Sequence, residues 1–315
     1  MSHFLAIDAG GTKTLCLLAD ETRVLARAST GTVKLMRIGE QEASARLRTM
    51  LAEIADSAGV SLGQVTRTCF GLAGLSNPAV REWAGSAVAE LVGGELLLCG
   101  DEEIALDAAF AGGPGILVVA GTGSNAIGRS NAGEIFGAGG WGPVLGDEGS
   151  GMWIGLEAIR MALRAQDRTG LGGTPTSLLR EIERHWKLNS LGELVAYANL
   201  RGDPDHPAPD FASLTPVVAA CAEQGNALAA ELLNRAGVEL AELVSLVFGK
   251  MKAAHSATPV EPTAISVAYT GGVLTHIDRV RAAMTVRLAV MLPMACVSQS
   301  PVDPLEGALW RARRG

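Results

Sequence analysis

Residues 115–151, GILVVAGTGSNAIGRSNAGEIFGAGGWGPVLGDEGSG, decide how the rest of the chain is read. An apolar run over 116–120 empties into Gly121-Thr122-Gly123-Ser124-Asn125. A second strand-like piece and a turn at 130–133 follow, then Gly139-Gly140-Trp141-Gly142 and the acidic turn Gly146-Asp147-Glu148-Gly149. From Ser150 the spacing of Ile154, Ile159, Met161 and Leu163 predicts a helix. A strand, a tight glycine turn and a strand bring backbone N–H groups close to an anion, because glycine has no Cβ to hold a phosphate away. Thr122 and Ser124 add hydroxyl donors. A Gly-Thr-Gly turn also serves ordinary hairpins, so the phosphate reading needs support from elsewhere.

That support is at the other end of the chain. The run 4–7 ends in Asp8-Ala9-Gly10-Gly11-Thr12-Lys13-Thr14 and leads into a second run over 15–19. Both copies are strand, glycine-hydroxyl turn, strand. Neither is a P-loop, which enters a helix through Gly-Lys-Ser/Thr, nor a dinucleotide fingerprint, whose turn also opens a helix. Two such hairpins on two halves suggest a clamp on one phosphate chain. Asp8 offers the anionic oxygen that Mg²⁺ favours, reached through water.

Four motifs in order carry a resemblance: Asp8 to Thr14, Ala120 to Asn125, Gly139 to Gly149, and Thr270-Gly271-Gly272-Val273. Together they resemble the N-acetylglucosamine kinase branch of the actin, sugar-kinase and Hsp70 superfamily, which also holds the activating ATPases of benzoyl-CoA reductase and hydroxyacyl-CoA dehydratases. The resemblance spans essentially the whole chain. It implies an α/β fold of two ribonuclease-H-like (actin-like ATPase) domains with an interdomain cleft, ATP and Mg²⁺ as cofactors, and a small sugar as substrate. The expected domains are 1–113, with a C-terminal helix at about 302–315 packing back on it, and a larger 114–301 with a helical insertion.

Composition agrees with a globular two-domain protein: 315 residues, 48% hydrophobic and 19% charged. A net charge of −7 argues against nucleic-acid or anionic-membrane partners. No apolar run approaches the ~20 residues of a membrane span, which points to a cytoplasmic protein. Five cysteines (Cys16, Cys69, Cys99, Cys221, Cys296) stand singly, without metal-ligand spacing. Dehydratase-type activators hold an iron–sulfur cluster with cysteines near the opening stretch, and none lies between Cys99 and Cys221. His3, His185, His206, His255 and His276 are scattered and read as surface or capping residues.

Periodicity predicts strands at 4–7, 15–19, 24–29, 65–72 and 95–99 and helices at 41–58, 78–91 and 104–110 in the first half. The second half reads as strands at 116–120, 126–129, 134–136, 265–269 and 295–298. Its helices fall at about 151–165, 175–186, 190–198, 212–222, 225–253 and 275–290, with a polar loop at 201–209 and a terminal helix from 303.

Asp101 ends an apolar strand and opens a helix; the position suits a helix cap and a reactive carboxylate alike. The resemblance implies a general base for phosphoryl transfer at Asp101. Asp147 reads either as a cap for the helix near Ser150 or as a carboxylate accepting from vicinal sugar hydroxyls; the resemblance favours the sugar, with Gly140 and Trp141 in the substrate loop. Trp141 fits a sugar face or a core anchor. Gly271 and Gly272 form a tight turn that the resemblance makes a platform for adenine. Gly10, Gly11, Thr12, Lys13, Thr14, Gly121, Thr122, Gly123 and Ser124 are the expected phosphate contacts. On the sugar side, relatives offer an asparagine where this chain has Thr32-Val33-Lys34, and a serine where it has Ala73. Lys34 suggests an acidic sugar such as N-acetylmuramic acid.

The function implied is an ATP-dependent amino-sugar kinase acting on the 6-hydroxyl of N-acetylglucosamine, with glucosamine or N-acetylmuramic acid as alternative substrates. It would serve amino-sugar salvage or cell-wall recycling, and relatives imply a homodimer through the second domain. An ATPase activator of a partner redox enzyme and a non-catalytic sugar sensor are the readings from other classes.

Overall fold

The structure, a computed structural model, describes residues 2–169, 176–200, 202, 208–254 and 264–314. Most of the polar loop at 201–209, with His206, and the segment 255–263, with His255, lie outside the described residues. In chain order the first elements are β1 (His3–Ala9), β2 (Lys13–Ala19), β3 (Val24–Gly31), α1 (Leu35–Ile38), α2 (Glu40–Ala58), β4 (Val65–Leu72), α3 (Pro78–Ala89), β5 (Glu95–Cys99) and α4 (Asp101–Phe110). They continue with β6 (Gly115–Ala120), β7 (Ser124–Arg129), β8 (Ile135–Gly139), α5 (Gly151–Thr169), α6 (Ser177–His185), α7 (Leu191–Ala198), α8 (Thr215–Glu223) and α9 (Ala227–Ala254). The last are β9 (Ile265–Thr270), α10 (Gly272–His276), α11 (Asp278–Met291), β10 (Ala295–Val297) and α12 (Pro304–Arg314).

The chain divides into two compact units: Met1–Gly115 with Arg129–Glu134 and Val302–Gly315, and Ile116–Gly128 with Ile135–Pro301. Each holds a five-stranded sheet, in the orders β3-β2-β1-β4-β5 and β10-β9-β6-β7-β8. Read from the opposite edge, the second order repeats the first: three consecutive strands, then two reached by crossovers. β1 pairs antiparallel with β2 and parallel with β4, and β4 pairs parallel with β5. β6 runs parallel to β9, and β9 to β10. This duplicated mixed sheet is the two-domain actin-like ATPase fold.

In the first unit, alternate residues of β1 serve opposite cores, as the pleat requires. Leu5 and Ile7 pack with Leu47, Leu51, Phe70 and Trp83 under α2 and α3. Phe4 and Ala6 pack with Cys69, Ile104, Leu305 and Leu309 under α4 and α12. Helix α12 comes so close to α4 that a Cβ on Gly307 would stand 1.8 Å from the Ile104 carbonyl oxygen. Here Asp107, 2% exposed, pairs with Arg129 (2.6 Å) and with Arg311 of α12. In the second unit, Ile116, Val118, Ile154, Leu240 and Tyr269 share one core.

Two elements depart from the sequence expectation. The short α1 follows the 30–34 turn, in a stretch where no apolar period marks a helix. The helix expected at 275–290 is two, α10 and α11, broken at Ile277, whose φ of −114° and ψ of 88° leave the helical region. Ile277 is 8% exposed, so burying its side chain wins over continuing the helix, and the Arg281 Nη1 donates to the Leu274 carbonyl exposed by the break (2.7 Å).

Candidate active site

Ligands of open α/β sheets bind beyond the carboxyl ends of parallel strands, and the singled-out residues of each unit collect there. In the first unit these ends belong to β1, β4 and β5. They carry Asp8 to Gly10, then Leu72 and Ala73, then Gly100 and Asp101. In the second unit they belong to β6 and β9, carrying Gly121 to Ser124 and Gly271-Gly272.

The first glycine turn is tied down by its carbonyls. The Gly10 oxygen accepts from Thr32 Oγ1 (3.0 Å), the Gly11 oxygen from Arg37 Nη1 (2.8 Å) and the Thr12 oxygen from the Thr32 N–H (3.1 Å). Arg46 holds the Thr32 carbonyl in turn (3.0 Å), and the buried Thr14 hydroxyl accepts from the Val33 N–H (3.2 Å). Thr32 therefore braces the turn from beneath, while Gly11, Thr12 and Lys13 are exposed.

The second turn uses the same device with other donors. The Gly121 oxygen accepts from the Gly151 N–H (2.8 Å), the Thr122 oxygen from the Met152 N–H (3.2 Å) and the Gly123 oxygen from the Gly121 N–H (2.9 Å). The first amides of α5 are thus spent on the turn. In each turn three successive electronegative atoms are engaged by protein donors, which lowers their repulsion of an incoming anion. Thr122 is exposed; Ser124 is 5% exposed and donates its hydroxyl to the Glu148 carbonyl (2.7 Å), inside the loop.

The acidic groups of the first unit are perturbed. Burial pushes the Asp8 carboxyl up to about 7, with help from the charges of Asp101 and Asp303 and against the pull of Lys13. Burial also raises Asp101, while the amides of Glu102 and Asp101 and the Lys34 ammonium draw it down. Asp101 is the first residue of α4, with Gly100 as its cap, so a carboxylate at a helix N-terminus and a desolvated carboxyl are one group. Beside these residues is a cavity of about 170 Å³, lined by Val33, Lys34, Leu72, Ala73, Ser76 and Trp83 among others.

In the second unit Asp147 adopts φ +62°, is 6% exposed and accepts from the Gly142 N–H (3.2 Å). Its carboxylate lies 2.8 Å from where a Cβ on Gly123 would stand, joining the substrate loop to the glycine turn. Ser150, whose Oγ accepts from the Trp153 N–H (3.2 Å), takes the helix-capping part. Trp141 is 74% exposed, so it is no core anchor, and Val144 (90%) and Leu145 (78%) stand in water on the same loop. Gly140 is exposed, its N–H bonded to the Ser124 carbonyl (3.0 Å). Gly271, at φ +93°, passes so close to β6 that a Cβ would meet the Ala120 oxygen at 2.4 Å.

Sequence reasoning missed the bracing roles of Arg37 and Arg46, the reach of Asp303 toward Asp8, and Ser76 and Asn77 on the cavity wall. Asn77 had a local signal, since Asn before Pro78 is a helix cap, and its side chain accepts from the Ala79 N–H (3.0 Å).

The profile of the BadF/BadG/BcrA/BcrD ATPase family matches residues 5–310. The chain belongs to that family. ATP use comes with the membership. Among its relatives, an N-acetylmuramic acid/N-acetylglucosamine kinase of Clostridium acetobutylicum is 29% identical over 88% of this chain and 87% of its own. An N-acetyl-D-glucosamine kinase of Dictyostelium discoideum is 27% identical over 97% and 96%. The structure of a provisionally named N-acetylglucosamine kinase from Chromobacterium violaceum superposes with a TM-score of 0.72 at 27% identity, covering 98% of both chains. Among the described residues no helix is long and apolar enough to cross a membrane.

Proposed function

We propose that this chain is an ATP-dependent amino-sugar kinase that phosphorylates N-acetylglucosamine at its 6-hydroxyl. The observation that carries the reading is the pair of glycine turns, at equivalent sheet ends, whose carbonyls are all engaged by protein donors. Such turns suit phosphate, and beside the first of them lies a desolvated carboxyl of the kind that accepts a proton. The relatives named for amino sugars supply the acceptor.

In this reading Asp101 takes the proton of the acceptor hydroxyl. Gly10 to Thr12, with Lys13, and Gly121 to Gly123, with the Thr122 hydroxyl, hold the phosphates; Thr14, Thr32 and Ser124 act by holding the turns in shape. Gly271 and Gly272 carry the adenine. Ala73, Gly140, Trp141 and Asp147 form the sugar side, with the exposed Trp141 ring available to a sugar face. Asp8 fits Mg²⁺: it is a carboxyl whose charge is opposed by burial and by two neighbouring acids, and a cation would relieve that opposition. Mg²⁺, when bound, would neutralise charge on the transferring phosphate.

The test is ADP release with Mg·ATP against glucose, glucosamine, N-acetylglucosamine, N-acetylmannosamine and no sugar. Turnover dependent on N-acetylglucosamine, with a 6-phosphate as product, is the expected result. ADP release indifferent to every sugar would end the reading in favour of an ATPase that acts on a partner.

A further inference from the structure

We propose that Cys69 and Cys99 are a reversible oxidation site, which a peroxide closes to a disulfide that draws Asp101 out of place. The bond itself is independent of the kinase reading; its effect on turnover rests on that reading of Asp101.

The cysteines stand singly in the sequence, but the fold brings these two together. Cys69 of β4 and Cys99 of β5 share a hydrogen bond, with their Sγ atoms 3.3 Å apart. The strands run parallel, with Cys69 opposite Leu97 and Cys99 opposite Gly71, so the two thiols are diagonal neighbours on one face of the sheet. Ile104 of α4 and Leu305 and Leu309 of α12 cover that face. Cys69 is wholly buried, and Cys99 keeps 4% of its surface. The pair is also chemically unequal. The hydrogen bond from Cys69 holds Cys99 below the usual thiol range, and the Arg311 charge adds to this against burial and Glu103. The same bond, and burial, push Cys69 up. Cys99 is therefore the sulfur that ionises first and the one a small oxidant reaches, and the thiolate is the nucleophile.

The Cys99 thiolate attacks one oxygen of hydrogen peroxide; the O–O bond breaks, and the departing hydroxide takes up the thiol proton as water. Cys99 is left as a sulfenic acid. The Cys69 sulfur then attacks the Cys99 sulfur, the S–S bond forms, the S–O bond breaks, and the hydroxide leaves with the Cys69 proton as a second water. Two thiols and one peroxide become one disulfide and two waters, with two electrons passing from sulfur to oxygen.

A disulfide is about 2.05 Å long, so the sulfurs must approach by about 1.2 Å. Strand β4 is held, since Ile104 packs so closely that a Cβ on Gly71 would stand 2.2 Å from its Cδ1. Strand β5 is the edge of the sheet and ends at Cys99, so it is the strand that yields. Only Gly100, the cap of α4, separates Cys99 from Asp101. A displacement of about 1 Å at a reacting carboxylate costs on the order of 10²-fold in rate. The diagonal setting strains the bond, and strained disulfides are the readily reduced ones, which makes the change reversible.

The test treats reduced wild type, Cys69→Ala and Cys296→Ser with hydrogen peroxide and blocks the remaining thiols with iodoacetamide. Intact mass, peptide linkage and the rate of N-acetylglucosamine phosphorylation are read before and after dithiothreitol. Wild type should lose two of its five thiols, with two hydrogens gone from the mass and a peptide joining position 69 to 99. Its turnover should fall about 10²-fold in step with the bond and return with dithiothreitol. Cys296→Ser, which removes the exposed thiol, should behave as wild type, and Cys69→Ala should form no link. If Cys69→Ala does not fold, the wild-type peptide map decides the site without it. Oxidation of wild type with no link between 69 and 99 overturns the inference. So does a complete link with turnover unchanged, and either result leaves the kinase reading standing. A reduced protein that phosphorylates no sugar removes the kinase reading, while the linked peptide still decides the site.

Discussion

Replacing Asp8 with Asn should make the protein more stable and less able to use ATP. The Asp8 carboxyl is raised from its ordinary 3.8 to about 7, by burial first and then by Asp101 and Asp303. Below about pH 4 the group is protonated in the folded and the unfolded chain alike, and it costs nothing. Between about 4 and 7 the unfolded chain releases a proton that the folded chain keeps, so stability falls as the pH rises. Above 7 the penalty is complete. A shift of roughly three units at 1.36 kcal/mol each gives about 4 kcal/mol as its upper size, and partial solvation brings the expected value to about 2–4 kcal/mol. Asn has the same shape and no charge, so Asp8→Asn should exceed wild type by that amount at pH 8 and match it near pH 4. Urea unfolding midpoints across that pH range, at equal slopes, measure the difference. In parallel, the rise in Tm on adding Mg·ATP should be lost in the variant. In wild type the apparent nucleotide affinity should drop about tenfold per pH unit below 7, where the ionised fraction shrinks in proportion. An Asp8→Asn protein no more stable than wild type at pH 8 would refute the argument, because the charge would then be well compensated without a ligand.

Three further outcomes are expected. Asp101→Asn should lower sugar phosphorylation by about 10²–10⁴-fold while nucleotide still binds by calorimetry; turnover near wild type would reduce Asp101 to the opening residue of α4. Gly271→Ala should cost about 2–3 kcal/mol in chemical denaturation, since a Cβ at φ +93° would stand 2.4 Å from the Ala120 oxygen. It should also raise the KM for ATP more than that for sugar. Asp107→Ala should cost about 3–5 kcal/mol, because it strands the guanidinium of Arg129, 9% exposed on its side chain, and leaves Arg311 with Glu103 (3.1 Å) as its carboxylate partner. A melting curve like that of wild type would show that water already compensates those charges.

What the sequence disclosed and what it hid divide along a physical line. Strand β4, expected at 65–72, falls there because its run from Thr68 to Leu72 is buried on both faces and bounded by turns. The family resemblance is likewise borne out by a match over nearly the whole chain. These signals are local. The break at Ile277 has no Gly or Pro to announce it; it is set by the core into which the side chain sinks. The part of Thr32 was legible as a position and not as a role, since its hydroxyl holds Gly10 from below only once the fold brings the end of β3 against the first glycine turn. Asp147 could be singled out as a carboxylate, but its turn toward Gly142 and Gly123 depends on a left-handed backbone that only the folded loop reveals. Asp303 bears on Asp8 from the far end of the chain, and no spacing rule spans that distance.

The first unit is finished by a helix that follows the second unit in the chain. A ribosome completes β1 to β5 and then the whole second unit before α12 emerges, and until it does Phe4, Ala6 and Cys69 lack Leu305 and Leu309. The nascent protein therefore carries an open sheet face through most of its synthesis, the kind of surface that chaperones cover and neighbouring chains invade. Premature termination anywhere in the second unit releases a first unit that cannot close, and the harm of such a fragment is aggregation before it is loss of catalysis.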